Sequence, residues 1–206
     1  MASPFIAVAH ALDPSLWAAD RLRLDLDDWQ KSLVRSPPGS RTIALVHRQA
    51  GKTTGAAVAI GHTMLFEPGG TTSLALAPTM RQSSELIRRL RTVLLDAGAS
   101  LTVDNAFTLE VSSGARCVAM PGENDAAIRG YSVNGVLVID EAARVPDPLY
   151  DAARPMLIRH VSSARLMVVS TAWARQGFFY KIWSEGSLGQ PQRLTNRIRC
   201  VVDASL

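Results

Sequence analysis

A short segment of this chain combines the residue types that bind phosphate groups. Residues 47–54 read HRQAGKTT, with Lys52 between Gly51 and Thr53. In a phosphate-binding loop the backbone amides and the N-terminus of the next helix face the phosphates, the lysine contacts their oxygens, and the hydroxyl ligates Mg²⁺. The full pattern G-x-x-x-x-G-K-[ST] is incomplete, because Val46 occupies the position of its first glycine. A chance Gly-Lys-Thr in an ordinary loop is the competing interpretation.

Two adjacent carboxylates could supply the rest of a phosphoryl-transfer site. Asp140 and Glu141 directly follow the apolar run GVLVI. Phosphoryl transfer needs one acidic group to hold Mg²⁺ and another to orient the attacking water, and these residues suit the two roles in that order. Each carboxylate alone could instead cap a helix. The acidic pair together with Lys52-Thr53, each after an apolar run, predicts a P-loop ATPase that uses ATP and Mg²⁺.

Small hydroxyl residues end a further apolar run. Ser170 closes the sequence LMVVS, and Thr171 follows it. Hydroxyl groups there could hydrogen-bond the γ-phosphate, its attacking water or Glu141, and so sense hydrolysis. A plain turn is the alternative for this pair.

An aromatic residue and an amide lie upstream of the phosphate-binding segment. The Gln30 amide matches the hydrogen-bonding edge of adenine, and the Trp29 ring could stack on a base. Trp29 could equally anchor an N-terminal helix to the core.

The positions of these motifs depend on a regular alternation of strands and helices. Buried strands are predicted at residues 41–47, 71–77, 135–139 and 166–170, with a hairpin at 108–119. Helices are predicted at residues 52–66, 79–97, 148–159 and 176–184. This order predicts an α/β fold, a RecA-like P-loop sandwich of three layers around a mainly parallel sheet. The motifs would then meet at the carboxyl edge of the sheet.

Length and composition narrow the class of protein. The 206 residues predict a single ATPase domain, with a helical segment at 1–36 and a core at 37–206 after Pro37-Pro38-Gly39. Hydrophobic residues at 47% exclude intrinsic disorder. Two distant cysteines exclude a disulfide scaffold and are typical of a reducing cytosol. A net charge of +4 permits a polyanionic partner, and neither a signal peptide nor a membrane span is predicted.

Taken together, these motifs resemble the ATPase domain of the large terminase subunit, the DNA-packaging motor of tailed bacteriophages. The resemblance extends from about residue 25 to residue 200. Its matching segments are Trp29-Gln30, the R-Q-x-G-K-T form at 48–53, Ala77-Pro78-Thr79, Arg129-Gly130, Asp140-Glu141 and Ser170-Thr171-Ala172. Terminases commonly lack the first glycine of the loop and have a basic residue inside it, which is Arg48 here.

The resemblance implies roles for the individual residues. It implies Walker A and Walker B motifs, catalytic roles for Glu141, Arg48 and Arg129, and an adenine contact for Gln30. It also implies that Thr53 and Asp140 hold Mg²⁺ and that Ser170 and Thr171 couple hydrolysis to movement. The nucleotide-binding set would be Trp29, Gln30, Arg48, Gln49, Ala50, Gly51, Lys52, Thr53 and Thr54.

Arg129 is expected to act on a neighbouring subunit. It precedes the strand that ends at Asp140, so it enters the sheet at the edge opposite to the phosphates. The alternatives are a loop that folds back, so that Arg129 acts in its own subunit, and a loop-shaping or DNA-contacting role.

The implied function is ATP-driven translocation of double-stranded DNA into a capsid. The expected partners are DNA, a homo-oligomeric ring on a portal protein and the small terminase subunit, in the host cytoplasm and transiently at the procapsid portal. Large terminases normally continue into a nuclease domain, and no carboxylate cluster for one is found in this chain, so a nuclease would lie elsewhere. A helicase-like ATPase, or a nucleotide-binding assembly module with little turnover, is the alternative.

Overall fold

The computed structural model describes residues 4–67, 69–121, 130–186 and 194–200. Its strands are β1 (Arg41–Val46), β2 (Thr72–Ala77), β3 (Leu101–Asp104), β4 (Thr108–Val111), β5 (Arg116–Pro121), β6 (Val136–Asp140), β7 (Arg165–Ser170) and β8 (Asn196–Cys200). Its α-helices are α1 (Pro4–Leu12), α2 (Pro14–Leu22), α3 (Asp28–Val34), α4 (Lys52–Phe66), α5 (Met80–Asp96), α6 (Asp147–Ala153) and α7 (Gly177–Glu185). Within these ranges, no helix has the length and apolar character needed to cross a membrane.

The described strands form one sheet of mixed direction. Their order is β3-β4-β5-β2-β6-β7-β1-β8. In this spatial order, β5, β2, β6, β7, β1 and β8 are each parallel to the next strand. Strand β4 is antiparallel to both of its neighbours, β3 and β5. The predicted α/β fold with a mainly parallel sheet is confirmed. Because β7 lies between β6 and β1, the carboxyl ends of these three strands are neighbours.

Apolar side chains cover both faces of the sheet. Alternate residues of a strand point to opposite faces, so Ala44 packs with α2 to α5 while Ile43 packs with α6 and α7. The central strands are consequently buried on both sides, which explains their unbroken apolar sequences. Helix, sheet and helix form the three predicted layers.

Three elements differ from the prediction. The helix predicted at 148–159 is α6 followed by a 3₁₀ helix at Arg154–His160. Pro155 has no N–H to donate to a carbonyl one turn earlier, so the α-helical pattern stops there. The edge strands β3 and β8 were not predicted, because their short polar sequences LTVD and NRIRC have no sustained apolar run.

Asp13 ties two helices of the amino-terminal segment together. Its carboxylate caps α2 by accepting a hydrogen bond from the Ser15 amide at 2.9 Å. It also accepts from Nε and Nη2 of Arg35, just after α3, at 3.0 and 2.7 Å. The Arg35 guanidinium, with the hydrogen bonds from Ser15, holds the pKa of Asp13 well below its usual range. The ionised form is therefore the one that stabilises this segment.

We expect Asp13→Ala to lower the free energy of unfolding by about 1–2 kcal/mol at pH 7, since it removes a helix cap and a bidentate ion pair. A depressed pKa gives stability that is complete above the ordinary carboxyl pKa and is lost as the pH falls below it. The difference between variant and wild type should therefore shrink from pH 4 towards pH 2 in denaturant titrations. Asp25→Ala, at a carboxylate that is 96% exposed, is the matched control and should change stability little. A loss that is the same at every pH would contradict the ionic contribution.

Candidate active site

The turn between β1 and α4 has the backbone of a phosphate-binding loop. Gln49 and Gly51 have positive φ values of 62° and 76°, and α4 begins at Lys52. A Cβ added to Gly51 would lie 2.6 Å from Nε2 of Gln30. Both the left-handed backbone and this close approach require glycine at position 51. The first amides of α4 have no carbonyl acceptor within the helix and face the preceding loop, where an anion can bind.

The loop brings Lys52 against the acidic pair at the end of β6. Nζ of Lys52 lies 3.3 Å from Oε1 of Glu141. Oγ1 of Thr53 donates to Oδ2 of Asp140 at 3.4 Å. Lys52 and Asp140 are 8% and 6% exposed, so these charges interact away from most of the solvent. Four residues chosen from the sequence thus share one site.

Glu141 has a backbone conformation that is unusual for its type. Its φ of 48° and ψ of 39° are left-handed, which costs a non-glycine residue on the order of 1 kcal/mol. Its amide donates to Oδ1 of Asp140 at 2.8 Å, and its carbonyl accepts from the Arg144 amide at 2.9 Å, which closes a tight turn. This turn directs the Glu141 carboxylate back towards the loop and Lys52.

The end of β7 holds the other side of Glu141. Oγ1 of Thr171 donates to Oε2 of Glu141 at 3.2 Å. Ser170 accepts from the Ala143 amide at 3.0 Å and donates to the Thr171 carbonyl at 2.9 Å. The two hydroxyl residues therefore link β7 to the turn after β6, and both carboxylate oxygens of Glu141 have a partner.

Burial, together with the negative charge of Glu141, raises the pKa of Asp140 to about 6. The carboxylate thus lacks a full compensating cation, and it lies beside a hydroxyl oxygen. Hard oxygen ligands of this kind fit Mg²⁺. Among the described residues no group of three or more His, Cys, Asp and Glu side chains could hold a metal ion. Thr53 and Asp140 would therefore provide the protein ligands, with phosphate and water oxygens as the others.

Comparisons with solved structures find proteins with a similar fold. The ATPase domain of the Thermus phage P74-26 large terminase superposes with a TM-score of 0.75 at 19% identity, over 92% of this chain and 86% of that one. The large terminase of a thermophilic bacteriophage in complex with ADP gives 0.67 at 14% identity, over 85% of this chain and 45% of that one. The N-terminal domain of the phi29 DNA-packaging ATPase gives 0.60 at 13%, over 87% and 97%. The chain has the fold of a large-terminase ATPase domain. No family model matches the sequence, and no curated protein matches it significantly.

Within this terminase fold, Gln30 is used by the protein itself. Its Nε2 donates to the Gly51 carbonyl at 3.0 Å, and its Oε1 accepts from the Asp27 amide at 2.8 Å. Gln30 is 6% exposed, and the Trp29 ring is buried in the core, where its Nε1 has no hydrogen-bond partner. Gln30 thus links α3 to the turn before α4. An adenine contact stays a prediction for both residues.

The other predicted residues differ in how far they are buried. Arg48 and Gln49 are exposed at the tip of the loop, while Ala50 is buried under it. Thr54 is half-buried in the first turn of α4. Arg129 lies outside the described residues.

An open cleft of about 510 Å³ lies beside the acidic pair. Its lining residues are Thr53, Pro78, Thr79, Arg81, Gln82, Glu85, Asp140, Glu141 and Arg144. Arg144 was not predicted from the sequence. The available signal was an arginine three residues after Glu141, within one turn of the acidic pair.

We expect Asp140→Asn to stabilise the ligand-free protein by on the order of 2–3 kcal/mol at pH 8, because it removes a buried charge and keeps the side-chain shape. The folded-state pKa of about 6 lies above the ordinary value of 3.8, so ionisation destabilises the fold as the pH rises between these values. The full cost is present above pH 6. Thermal unfolding should therefore show a gain at pH 8 that disappears towards pH 4.

Asp151→Asn is the matched control for this measurement, since Asp151 is exposed on α6 and should leave stability unchanged. Equal stability of Asp140→Asn and wild type at pH 8 would contradict an uncompensated charge at Asp140.

Proposed function

We propose that this chain is the ATP-hydrolysing motor domain of a viral DNA-packaging terminase. The observation that carries the proposal is the meeting of Lys52, Thr53, Asp140 and Glu141 at the carboxyl ends of β1 and β6. The fold shared with large-terminase ATPase domains supports the same function. The large terminase solved with ADP supports nucleotide as the ligand of this site.

Nucleotide binding would redistribute the charges of the site. The ammonium of Lys52 would leave Glu141 for the phosphate oxygens, which carry more negative charge than one carboxylate. The amides at the start of α4 would add partial positive charge at the same place. Mg²⁺ bound to Thr53 and Asp140 would neutralise charge on the β- and γ-phosphates.

Release from Lys52 would free Glu141 to act on water. The Glu141 carboxylate would orient a water molecule and accept its proton, as the water oxygen forms a bond to the γ-phosphorus. The bond from that phosphorus to the bridging oxygen breaks, and ADP and phosphate leave. Thr171 would keep one oxygen of Glu141 in a fixed direction through its hydrogen bond.

Ser170 at the end of β7 and Thr171 after it would couple ATP hydrolysis in the site to movement of the DNA. Ser170 and Thr171 contact the turn of Glu141, so a displacement of that turn would move the end of β7. We propose double-stranded DNA as the translocated substrate. A homo-oligomeric ring on a portal protein, the small terminase subunit and a nuclease on another domain or chain would complete the machine, in the host cytoplasm and at the procapsid portal.

Two substitutions test the proposed chemistry, because they should separate binding from turnover. Lys52→Ala should abolish or severely weaken binding of Mg·ATP, since the phosphate charge loses its buried ammonium. Glu141→Gln should keep the affinity while turnover falls by on the order of 10² or more. Titration calorimetry and steady-state phosphate release measure the two quantities.

Lys181→Ala and Glu185→Gln are matched controls, because both residues are exposed on α7. Near-normal affinity in Lys52→Ala would contradict the phosphate site. Binding without turnover at every wild-type protein concentration would favour an assembly module over a motor.

We also propose that Arg129 acts on the nucleotide of a neighbouring subunit. Arg129→Ala and Lys52→Ala should each be inactive alone, and a mixture should recover part of the ATPase rate. Recovery is expected because intact loops then face intact arginines. Co-assembly without recovery would exclude this trans-acting role.

A further inference from the structure

Arg144 is attached to the same turn as the acidic pair. It ends the short 3₁₀ helix Ala142–Arg144, and its amide donates to the Glu141 carbonyl at 2.9 Å. Its side chain lines the cleft of about 510 Å³ together with Thr53, Asp140 and Glu141. Backbone and side chain therefore both place Arg144 beside the groups proposed to handle the phosphates and the attacking water.

The charge of Arg144 lacks an acidic partner among the described residues. Several other arginines do form ion pairs, among them Arg35 with Asp13, Arg88 with Glu85, Arg91 with Asp104 and Arg165 with Glu67. Arg144 is three residues from Glu141, yet no ion pair joins the two side chains. Its guanidinium is therefore available to an anion that enters the cleft.

The guanidinium instead lies over an aromatic ring. The Cζ atom of Arg144 is 3.9 Å from the centre of the Trp173 ring, which is 59% exposed. Trp173 comes two residues after Thr171 and also lines an apolar cleft of about 300 Å³ with Tyr180 and Trp183 of α7. A cation–π contact at an exposed ring is weak compared with a two-point contact between arginine and phosphate. A phosphate group in the cleft would therefore displace the guanidinium from Trp173.

This stack is the third link between the turn after β6 and the segment after β7. The other two are the Ala143–Ser170 and Glu141–Thr171 hydrogen bonds. The Ala143–Ser170 link uses a backbone amide, and the Glu141–Thr171 link joins two side chains. The long side chain of Arg144 can leave the Trp173 ring without moving the backbone. Arg81, which also lines the cleft, belongs to α5 and not to the turn after β6.

The geometry points to Arg144 as a residue that contacts the terminal phosphate of ATP in its own subunit, with Trp173 as its resting place when that phosphate is absent. This inference rests on the proposed ATPase function. It differs from the role proposed for Arg129, which acts across a subunit boundary. Arg144 would stabilise the negative charge that develops on the γ-phosphate oxygens, and its return to Trp173 would follow phosphate release.

Binding of ATPγS and ADP, each with Mg²⁺, tests the assignment in wild type and Arg144→Ala. We expect the variant to bind ATPγS at least about 10-fold more weakly and ADP within about twofold of wild type, because only ATPγS has the terminal phosphate. Turnover of ATP should fall by on the order of 10² or more. Arg144→Lys should recover part of the ATPγS affinity, since it keeps the charge and loses the planar fork.

Arg89→Ala is the matched control, because Arg89 is exposed on α5 and away from the cleft. Tryptophan fluorescence gives a second measurement, in which the difference between wild type and Trp173→Phe isolates Trp173. ATPγS should change that signal, and ADP should not.

Each result decides a different point. A wild type that binds neither nucleotide would overturn the proposed function and the role of Arg144 with it. If wild type binds both nucleotides and Arg144→Ala either loses affinity for both equally or keeps its affinity for both, the terminal-phosphate contact is wrong and the proposed function stands. A preference for ATPγS that appears only at high protein concentration would show a contact between subunits and overturn the cis assignment.

Discussion

One buried ammonium faces two carboxylates in this structure, and the rest of the site depends on that imbalance. Lys52 lies against Glu141, while Asp140 beside them has a raised pKa because burial and its neighbour's charge oppose ionisation. Two negative charges and one positive charge that are shielded from most of the solvent are energetically unfavourable unless additional cations bind. A cation that enters this site would therefore relieve the excess of negative charge.

The parallel sheet holds this unfavourable arrangement in place. Since β7 lies between β6 and β1, the loop with Lys52, the acidic pair and Thr171 come from strands that share one set of ladder hydrogen bonds. The left-handed backbone at Glu141 adds strain, and the Ala143–Ser170 hydrogen bond opposes its relaxation. Apolar packing on both faces of the sheet fixes the positions of the strand ends, because its total energy is far larger than the repulsion between the two carboxylates. The charged side chains therefore stay close together.

The sequence was most informative where local pattern and chemistry coincide. The runs before Lys52 and Asp140 predicted both strands, because a strand buried on two faces needs unbroken apolar residues. Residues 148–159 predict one helix, whereas the structure has a break at Pro155, because this residue has no N–H to continue the α-helical hydrogen bonds. The hydrogen bond from Gln30 to Gly51 and the stacking of Arg144 on Trp173 join elements that are distant in sequence, and no local pattern encodes such contacts.

The hydrogen bond from Gln30 to Gly51 has a mechanical consequence. It joins α3 to the turn before α4, and the side-chain amide of Gln30 is held in place because its oxygen accepts from the Asp27 amide. Hydrogen bonds weaken steeply when stretched by a few tenths of an ångström. A displacement of α3 would therefore change the geometry of the turn at Gly51, so the amino-terminal segment is mechanically coupled to the turn that precedes Lys52.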